Sequence, residues 1–412
     1  MNSSNGVDYL IIGGGIAGVT AAETIREHDK SGSIAIVSME PHLLYSRVLL
    51  PSYLKQRIKR EQVFMRRIAD FDKSDIGFLA GEEVTAVGAR GHEVTLSSGT
   101  IVRCRKLLVA AGGRVAPVTY EGARGLQEIY RLQTIEDADR LYPALPNIKE
   151  AVVVGGGFIA LEFLEILQLR GIRTTLLCRD EHFGARLMSK AGSQMIEGNF
   201  EEHGIRILMG EDVASVLGQD GYLRGVVTAR GKELRADGLF VGVGLLRNIE
   251  FLQGFGISLG KKGILADAYL RTNVSDVFVA GDIAEFEDVA LGMTHTVGNW
   301  NNAFLQGKAV GRTMAGKDTQ FINLPSYSIS NLGFHWTVVG NPDLSLPSVI
   351  REQRTPPQYL EFFLRDGLLM GAVIINLPRA QSVLQRWILE RRNLSGKEGL
   401  LADIKVALET IV

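Results

Sequence analysis

The sequence predicts an α/β protein, because two of its segments share one order of strand, turn, helix and strand. Each segment has a glycine-rich turn, Gly13–Gly18 in the first and Gly155–Ala160 in the second. The apolar runs that flank these turns are Tyr9–Ile12 and Ile34–Val37 in the first segment, and Ala151–Val154 and Thr174–Leu177 in the second. After each turn, apolar residues recur at helical spacing, to about His28 and to about Arg170. Two βαβ units in one chain are therefore expected.

Both turns have the spacing G-x-G-x-x-G, with Ala160 in place of the last glycine of the second turn. Glycine lets the backbone turn sharply and approach a diphosphate, whose charge then lies at the positive end of the following helix. One such turn is weak support, but each copy follows a predicted strand and opens a predicted helix. We therefore predict two Rossmann-like dinucleotide-binding domains; two ordinary strand-to-helix turns are the alternative. The predicted contact residues are Gly13, Gly15, Ile16, Ala17 and Gly18 in the first turn, and Gly155, Gly157, Phe158, Ile159 and Ala160 in the second.

The last part of the chain, beyond Pro325, has a different pattern. Predicted strands include Trp336–Val339, Tyr359–Leu364 and Leu368–Ile375, and two helical stretches with apolar residues at 3–4 spacing follow them. The second stretch contains Leu400, Leu401, Ile404, Ala407, Leu408 and Ile411, and is expected to pack in the core or between subunits, with a membrane surface element as the alternative. The predicted fold class is therefore α/β, with two Rossmann-like domains and a C-terminal α+β domain.

The composition narrows the classes of function. The 412 residues include 45 basic and 46 acidic ones, for a net charge of −1, which argues against binding to nucleic acid or to an anionic membrane surface. We expect no signal peptide at the N-terminus. The most apolar stretch, Ala151–Leu169, contains Glu162 and Glu165, so no transmembrane span is predicted. Small-molecule chemistry is favoured.

The two cysteines, Cys104 and Cys178, are far apart in sequence and form no C-x-x-C. A disulfide framework and a metal site are therefore not predicted, and a cytoplasmic location is expected. Both thiols are expected to be buried and inert.

Four further stretches resemble the motifs of one family. They are Glu40–Arg47, Leu107–Arg114, Asp276–Asp282 and Trp300–Gly316. With the two turns, and in this order, they make the chain similar to the FAD-dependent pyridine nucleotide-disulfide oxidoreductase superfamily. The resemblance is strongest to its branch of rubredoxin and ferredoxin reductases and the flavin part of NAD(P)H nitrite reductase. It implies FAD and NAD(P)H as cofactors. It also implies an FAD-binding domain of residues 1–115 and 245–320, an NAD(P)H-binding domain of 116–244 and a C-terminal domain of 321–412.

For FAD, the resemblance implies contacts from residues outside the first turn. These residues are Glu40, Arg47, Val84, Ala111, Gly112, Gly281, Asp282 and Trp300. Glu40 is expected at the ribose hydroxyls and Asp282 at the ribityl chain. The alternatives are an exposed loop glutamate for Glu40, a helix N-cap for Asp282, a surface arginine for Arg47 and a core tryptophan for Trp300. His295 is a weaker candidate, for which an ordinary hydrogen-bonded histidine is favoured.

Glu162 resembles the family's glutamate beside the nicotinamide, and we predict it as the catalytic residue that orients the hydride donor. An acid on a helix surface is the alternative. At the end of the second unit, Arg179 and Arg186 suit a 2′-phosphate and slightly favour NADPH over NADH, although Asp180 would repel that phosphate. Gly244 is also assigned to cofactor binding.

The family's disulfide members carry a cysteine near the flavin, about where Leu44–Leu50 lie, and this stretch has none. Electrons are therefore expected to leave the flavin directly, for a rubredoxin, ferredoxin or iron–sulfur subunit. A basic patch after this stretch is a candidate docking site, with a solvated helix face as the alternative: Lys55, Arg57, Lys59, Arg60, Arg66 and Arg67. Two other functions stay open: a redox-sensing or scaffold flavoprotein of apoptosis-inducing-factor type, and a flavoprotein that has lost nicotinamide binding.

Overall fold

The computed structural model describes residues 6–88 and 91–411. Within them the chain forms two compact units. The first unit draws on the segments Met1–Leu49, Ile58–Arg114 and Leu245–Asn323, and the second on Leu50–Arg57, Val115–Gly244 and Leu324–Val412. The division into FAD-binding, NAD(P)H-binding and C-terminal domains stays a prediction.

The elements of the N-terminal part begin with the first βαβ unit. In chain order they are β1 (Val7–Ile12), α1 (Ile16–His28), β2 (Ile34–Ser38), α2 (Leu50–Leu54), α3 (Ile68–Lys73), β3 (Ile76–Ala80), β4 (Val84–Val87), β5 (Glu93–Leu96), β6 (Ile101–Val109) and β7 (Gly113–Val115). Short 3-10 turns lie at Arg47–Leu49 and Arg60–Val63.

The middle part contains the second βαβ unit. Its elements are β8 (Ile129–Tyr130), α4 (Ile135–Ala144), β9 (Glu150–Val154), α5 (Phe158–Gln168), β10 (Arg173–Cys178), α6 (Lys190–Glu202), β11 (Arg206–Met209), β12 (Val213–Gln219), β13 (Tyr222–Thr228), β14 (Glu233–Arg235) and β15 (Gly238–Val241). A 3-10 turn at Leu145–Asn147 follows α4.

The remaining elements fall on either side of Pro325. Before it lie β16 (Leu245–Arg247), β17 (Ile264–Ala266), β18 (Val277–Val279), β19 (Ala284–Asp288), β20 (Met293–His295) and α7 (Trp300–Met314). After it lie β21 (Ser326–Asn331), β22 (Phe334–Gly340), β23 (Ser348–Gln353), β24 (Gln358–Arg365), β25 (Leu368–Ile375), α8 (Ala380–Leu389) and α9 (Glu398–Ala402). Further 3-10 turns lie at Glu250–Leu252 and Leu408–Thr410.

The main sheet of the first unit has the strand order β3-β2-β1-β6-β5-β4, and β18 also pairs with β6. Strands β1, β2, β3, β6 and β18 run parallel, so their carboxyl ends share one edge of the sheet. Helix α7 packs on α1, where a Cβ on Gly307 would lie 2.6 Å from the Ala17 carbonyl oxygen. A side chain at Gly307 would therefore push the two helices apart.

The second unit contains a parallel sheet of order β11-β10-β9-β15-β8, which places β9 and its following turn at the centre. The same unit also contains an antiparallel sheet of order β12-β13-β14. The C-terminal sheet has the order β21-β22-β25-β24-β23 with antiparallel pairs, and α8 packs against β22 and β25. The strands predicted beyond Pro325 are confirmed.

The helix predicted at the C-terminal end is largely wrong. The structure has only α9 and a 3-10 turn at Leu408–Thr410 there. The buried Arg351 explains the interruption, because its guanidinium donates to the carbonyl oxygens of Leu400, Leu401 and Val406 at 2.7–3.0 Å. Leu400 and Leu401 lie at the end of α9, so Arg351 binds carbonyl oxygens that a longer helix would bond to its own later N–H groups.

Candidate functional site

The turn Gly13–Gly18 has the geometry of a diphosphate-binding loop. Gly13 has a φ of +117°, and a Cβ there would lie 2.3 Å from the Ala110 carbonyl oxygen. A Cβ on Gly18 would lie 2.0 Å from the Gly13 carbonyl oxygen, whereas one on Gly15 would meet no atom within 4 Å. The outer two glycines are thus required by packing, and the middle one has open space. Helix α1 begins directly after Gly15, and no side chain caps it. Its first N–H groups can therefore donate hydrogen bonds to an anion.

The turn Gly155–Ala160 repeats this geometry in the second unit. Gly155 has a φ of +137°, and a Cβ there would lie 2.4 Å from the Gly242 carbonyl oxygen. A Cβ on Gly157 would meet no atom within 4 Å. Ala160, which replaces the third glycine, is fully buried where the helix passes Gly242. The alternative, two ordinary strand-to-helix turns, does not explain why a Cβ at the middle glycine would meet no protein atom in either turn.

Other sequence-predicted residues flank these turns. Gly244 follows β15 with a φ of +99°, and a Cβ there would meet no atom within 4 Å. Phe158 and Ile159 open α5, and Ile159 is exposed. Phe158 packs against Trp336 of the C-terminal sheet, with ring centroids 4.7 Å apart.

Three strand ends converge beside the first turn. Because β1, β6 and β18 are in parallel register, Gly13, the turn at Ala111–Gly112 and the segment Gly281–Asp282 lie at the same sheet edge. Gly112 has a φ of +58° and open space at its Cβ position. The Gly281 N–H donates to Gln306 Oε1 at 2.7 Å. The structure therefore brings these motifs together around Gly15.

Asp282 has an unusual environment. Burial raises the pKa of its carboxyl group, although the positive charges of Arg247 and Arg47 oppose the shift. Among the described residues no hydrogen bond to its carboxylate is found. The N-cap alternative is wrong, because the next element is the strand β19, in which Ala284, Phe286 and Asp288 are buried alternately. A half-buried carboxylate without a protein donor fits a ligand hydroxyl.

The motif Glu40–Arg47 forms a side-chain cluster. The Tyr45 hydroxyl donates to Glu40, Arg47 forms an ion pair with Glu40, and Arg47 Nη1 lies 3.0 Å from the Tyr45 hydroxyl oxygen. Glu40 is thus not a free loop glutamate and Arg47 is not an isolated surface arginine. The ribose contact expected of Glu40 stays a prediction.

The remaining candidates of the first unit pack against its core. Val84 is buried in β4, opposite Leu96 of β5, and Trp300 begins α7 half-buried against that core. His295 Nε2 lies 2.8 Å from the buried Asp288 carboxylate. This pair is the ordinary hydrogen-bonded histidine that was favoured.

Glu162 is paired with a residue that the sequence analysis assigned elsewhere. The ammonium group of Lys55 donates to Glu162, contacts Glu165 and lies 3.2 Å from Asn331 Oδ1. The Lys55 side chain is only 4% exposed. Glu162 is therefore not a free surface acid, and Lys55 belongs to its site. No local signal in the sequence indicates this contact, because the two residues are 107 positions apart.

Three members of the predicted basic patch are paired with carboxylates, and its role in docking stays a prediction. Lys55 is buried, Arg57 pairs with Glu165 at 3.2 Å, and Arg66 binds Glu23 through two hydrogen bonds of 2.6 and 3.0 Å. Each of these three charges therefore has a carboxylate partner.

The end of β10 carries the residues expected at the adenosine 2′ position. Arg179 is exposed and makes no ion pair with the described residues. Arg186 Nε lies 3.7 Å from Asp180 Oδ2, so this arginine is already paired. Cys178 ends the strand; it and Cys104 are buried and unpaired. Burial raises the pKa of the Cys104 thiol to about 12 and also raises that of Cys178, as expected for inert thiols.

No helix in residues 6–88 and 91–411 is long and apolar enough to cross a membrane. No group of three or more His, Cys, Asp or Glu residues in the same part of the chain could hold a metal ion.

The comparisons with known proteins agree with these features. A family model described as pyridine nucleotide-disulphide oxidoreductase matches residues 7–307. The chain belongs to this family. Rhodocoxin reductase of Rhodococcus erythropolis is 26% identical over 403 residues, which cover 98% of this chain and 94% of that protein. The epsilon subunit of NADH-dependent phenylglyoxylate dehydrogenase of Aromatoleum evansii is 28% identical over 395 residues, with 94% and 92% covered.

Among solved structures, the ferredoxin reductase for the CYP199A2 system from Rhodopseudomonas palustris matches with a TM-score of 0.89 and 25% identity, over 98% of this chain and 99% of that one. The predicted fold class is confirmed. Membership of the family makes the chain an oxidoreductase that uses FAD and a pyridine nucleotide. The open sides of Gly15 and Gly157 and the unpartnered Asp282 fit these two cofactors.

Proposed function

We propose that the chain transfers electrons from NAD(P)H, through FAD, to a small iron–sulfur or rubredoxin-type electron carrier or to a partner redox subunit. The observation that carries this proposal is the pair of matching diphosphate turns in a chain whose two cysteines are buried and unpaired. FAD, when bound, can accept a hydride and release its electrons one at a time. Because neither thiol lies exposed, a thiol relay is not part of the proposal.

The first unit supplies the FAD-binding residues. Amides of the first turn hold the diphosphate, and Asp282 accepts hydrogen bonds from the ribityl hydroxyls. The residues assigned to FAD are Gly13, Gly15, Ile16, Ala17, Gly18, Glu40, Arg47, Val84, Ala111, Gly112, Gly281, Asp282 and Trp300.

The second unit supplies the NAD(P)H-binding residues, which are Gly155, Gly157, Phe158, Ile159, Ala160, Arg179, Arg186 and Gly244. Glu162 is the catalytic residue, which orients the nicotinamide. Lys55 is a positioning residue: its contacts with Glu162 and Glu165 fix the Glu162 carboxylate, because a buried ammonium group holds its acceptors in place.

NADPH is the donor that we propose, and Arg179 is the residue that supports it. An exposed arginine at the end of β10 suits a 2′-phosphate, whereas Arg186 is committed to Asp180. The ratio of kcat/KM for NADPH to that for NADH tests the choice in the wild type and in Arg179→Ala. A wild-type ratio below one, or a ratio that Arg179→Ala leaves unchanged, would overturn it.

The acceptor class is supported by the names of the relatives, one a rhodocoxin reductase and another a ferredoxin reductase. A subunit of a larger dehydrogenase among the relatives supports the partner-subunit form. We also propose a cytoplasmic location, which cell fractionation would test.

Anaerobic titration of the purified protein with NADPH and with NADH tests the core of the proposal. Bleaching of the flavin absorption by either nucleotide, followed by reduction of a ferredoxin or rubredoxin, is the expected result. Bound FAD with no spectral response to nucleotide would instead indicate a chain that receives electrons from a partner protein. Slow reduction with a long-lived charge-transfer band would favour the redox-sensing function.

A further inference from the structure

Arg247, the last residue of β16, is a charged side chain to which the proposed function gives no role. Its Nε atom is buried and has no hydrogen-bond partner in the described part of the chain. No ion pair of Arg247 with residues 6–88 or 91–411 is found either. A buried donor without an acceptor carries a desolvation penalty, and the rest of this side chain is only partly buried. A partner from outside the chain would remove that penalty.

The position of Arg247 shows where such a partner would lie. The next residue, Asn248, donates from its backbone N–H to the Gly112 carbonyl at 3.2 Å and from its side chain to the Ala111 carbonyl at 2.9 Å. A Cβ on Gly113 would lie 2.6 Å from the Leu246 carbonyl oxygen. These contacts hold Arg247 beside the turn that follows β6, at the same sheet edge as Gly15.

Asp282 lies within electrostatic range of Arg247, but it does not neutralise it through a hydrogen bond. The charges of Arg247 and Arg47 both act on the Asp282 carboxylate. Arg47 has Glu40 as its own ion-pair partner, whereas Arg247 donates to no described acceptor. All the N–H donors of Arg247 therefore remain available for a ligand.

We propose that Arg247 binds the diphosphate of FAD. The diphosphate is the permanently charged part of this cofactor, and the planar guanidinium group can donate two parallel hydrogen bonds to phosphate oxygens. The ribityl hydroxyls, which carry no charge, are the expected partners of Asp282. The inference rests on the proposed FAD binding, but not on the identity of the electron donor or acceptor.

Reconstitution of the apoprotein with FAD tests this assignment. We expect Arg247→Ala to raise the Kd for FAD by about tenfold or more, as expected for a lost charge-assisted contact. The matched control is Arg103→Ala: Arg103 is a largely exposed arginine of the same unit that pairs with Glu93, and its loss is expected to leave the Kd within about twofold.

Two further readouts separate the assignment from its rivals. Loss of a cation–phosphate contact is expected to weaken the dependence of the Kd on ionic strength. A higher Kd with unchanged salt dependence would place Arg247 at an uncharged part of FAD. An equal fall in Tm for the apoprotein and the FAD complex would show a structural role.

Failure of the inference differs from failure of the proposed function. A wild-type protein that binds no FAD would refute the proposed function. A wild type that binds FAD, with an Arg247→Ala variant of unchanged Kd, would refute only the role of Arg247.

Discussion

The ammonium group of Lys55 donates to the carboxylate of Glu162, although 107 residues separate them in the chain. The same ammonium group contacts Glu165, one turn further along α5. One buried cation thus serves two carboxylates in the segment that follows the Gly155–Ala160 turn. The orientation of Glu162 is consequently fixed by α2 as well as by its own helix.

Replacement of Lys55 by methionine is expected to lower the free energy of unfolding by about 3 kcal/mol. The change leaves the carboxylates of Glu162 and Glu165 without their buried partner, and breaking a buried pair is costlier than losing an exposed one. Urea unfolding of the protein measures it. Arg57→Met removes a contact of Glu165 from an arginine that is 53% exposed, and less than about 1 kcal/mol is expected for this control. Equal effects of the two variants would contradict a special role for Lys55.

Glu162→Gln is expected to slow flavin reduction by NAD(P)H by about tenfold. Glutamine has a similar shape but lacks the charge that holds Lys55, so orientation of the nicotinamide suffers more than nucleotide affinity does. Anaerobic stopped-flow absorption gives the rate at saturating nucleotide and the apparent affinity separately. Glu165→Gln makes the same chemical change while keeping Glu162, and we expect the smaller loss of rate from it. A larger loss from Glu165→Gln would remove Glu162 from its proposed role.

The glycine turns could be predicted from sequence because their function depends on backbone geometry that only a few residue types allow. Gly13 and Gly155 have φ values of +117° and +137°, in the region that favours glycine. Three of the four flanking strands contain continuous apolar runs, which are typical of buried parallel strands. Local sequence therefore predicted both βαβ units and their order.

Long-range side-chain pairs could not be predicted in this way. Lys55 was assigned to a basic patch because a run of positive charges within thirteen residues looks alike whether its members are exposed or paired. Nothing local indicates that Glu162 would lie opposite. The C-terminal helix was predicted from apolar spacing alone, and the donors that interrupt it come from Arg351, on a distant strand.

Valine at the middle glycine of each turn is expected to remove one cofactor and spare the other. A Cβ on Gly15 or on Gly157 would meet no protein atom within 4 Å, and both residues have negative φ, so the fold tolerates a side chain there. The added methyl groups would occupy the space that a diphosphate needs. Gly157→Val is expected to retain FAD that dithionite bleaches and NAD(P)H does not. Gly15→Val is expected to be purified without FAD. Loss of FAD from Gly157→Val instead of from Gly15→Val would mean that FAD binds at the second turn and NAD(P)H at the first.

Asp282→Asn is expected to stabilise the apoprotein at about pH 7 while weakening FAD binding. The pKa of Asp282 is raised in the folded chain above the ordinary value of 3.8, so the folded state binds the proton more tightly than the unfolded state does. Between these two pKa values, stability falls as pH rises. The variant lacks this loss of stability, so its advantage is expected to shrink as pH falls towards about 4 and to be absent below that pH. Thermal unfolding of both apoproteins across this range measures it, and a less stable variant at neutral pH would contradict the raised pKa.

Arg351→Met is expected to lower the free energy of unfolding by about 2 kcal/mol and to loosen the C-terminal segment. The guanidinium group is buried, which lowers its pKa, and three carbonyl oxygens accept its hydrogen bonds. Methionine fills similar space but leaves those carbonyls without a donor. Hydrogen exchange is expected to accelerate across residues 398–411. The control Arg354→Met changes an arginine that is 84% exposed and pairs only with Glu352 among the described residues, so less than about 0.5 kcal/mol is expected. Unchanged exchange in Arg351→Met would mean that apolar packing alone, through residues such as Leu401 and Leu408, holds this segment in place.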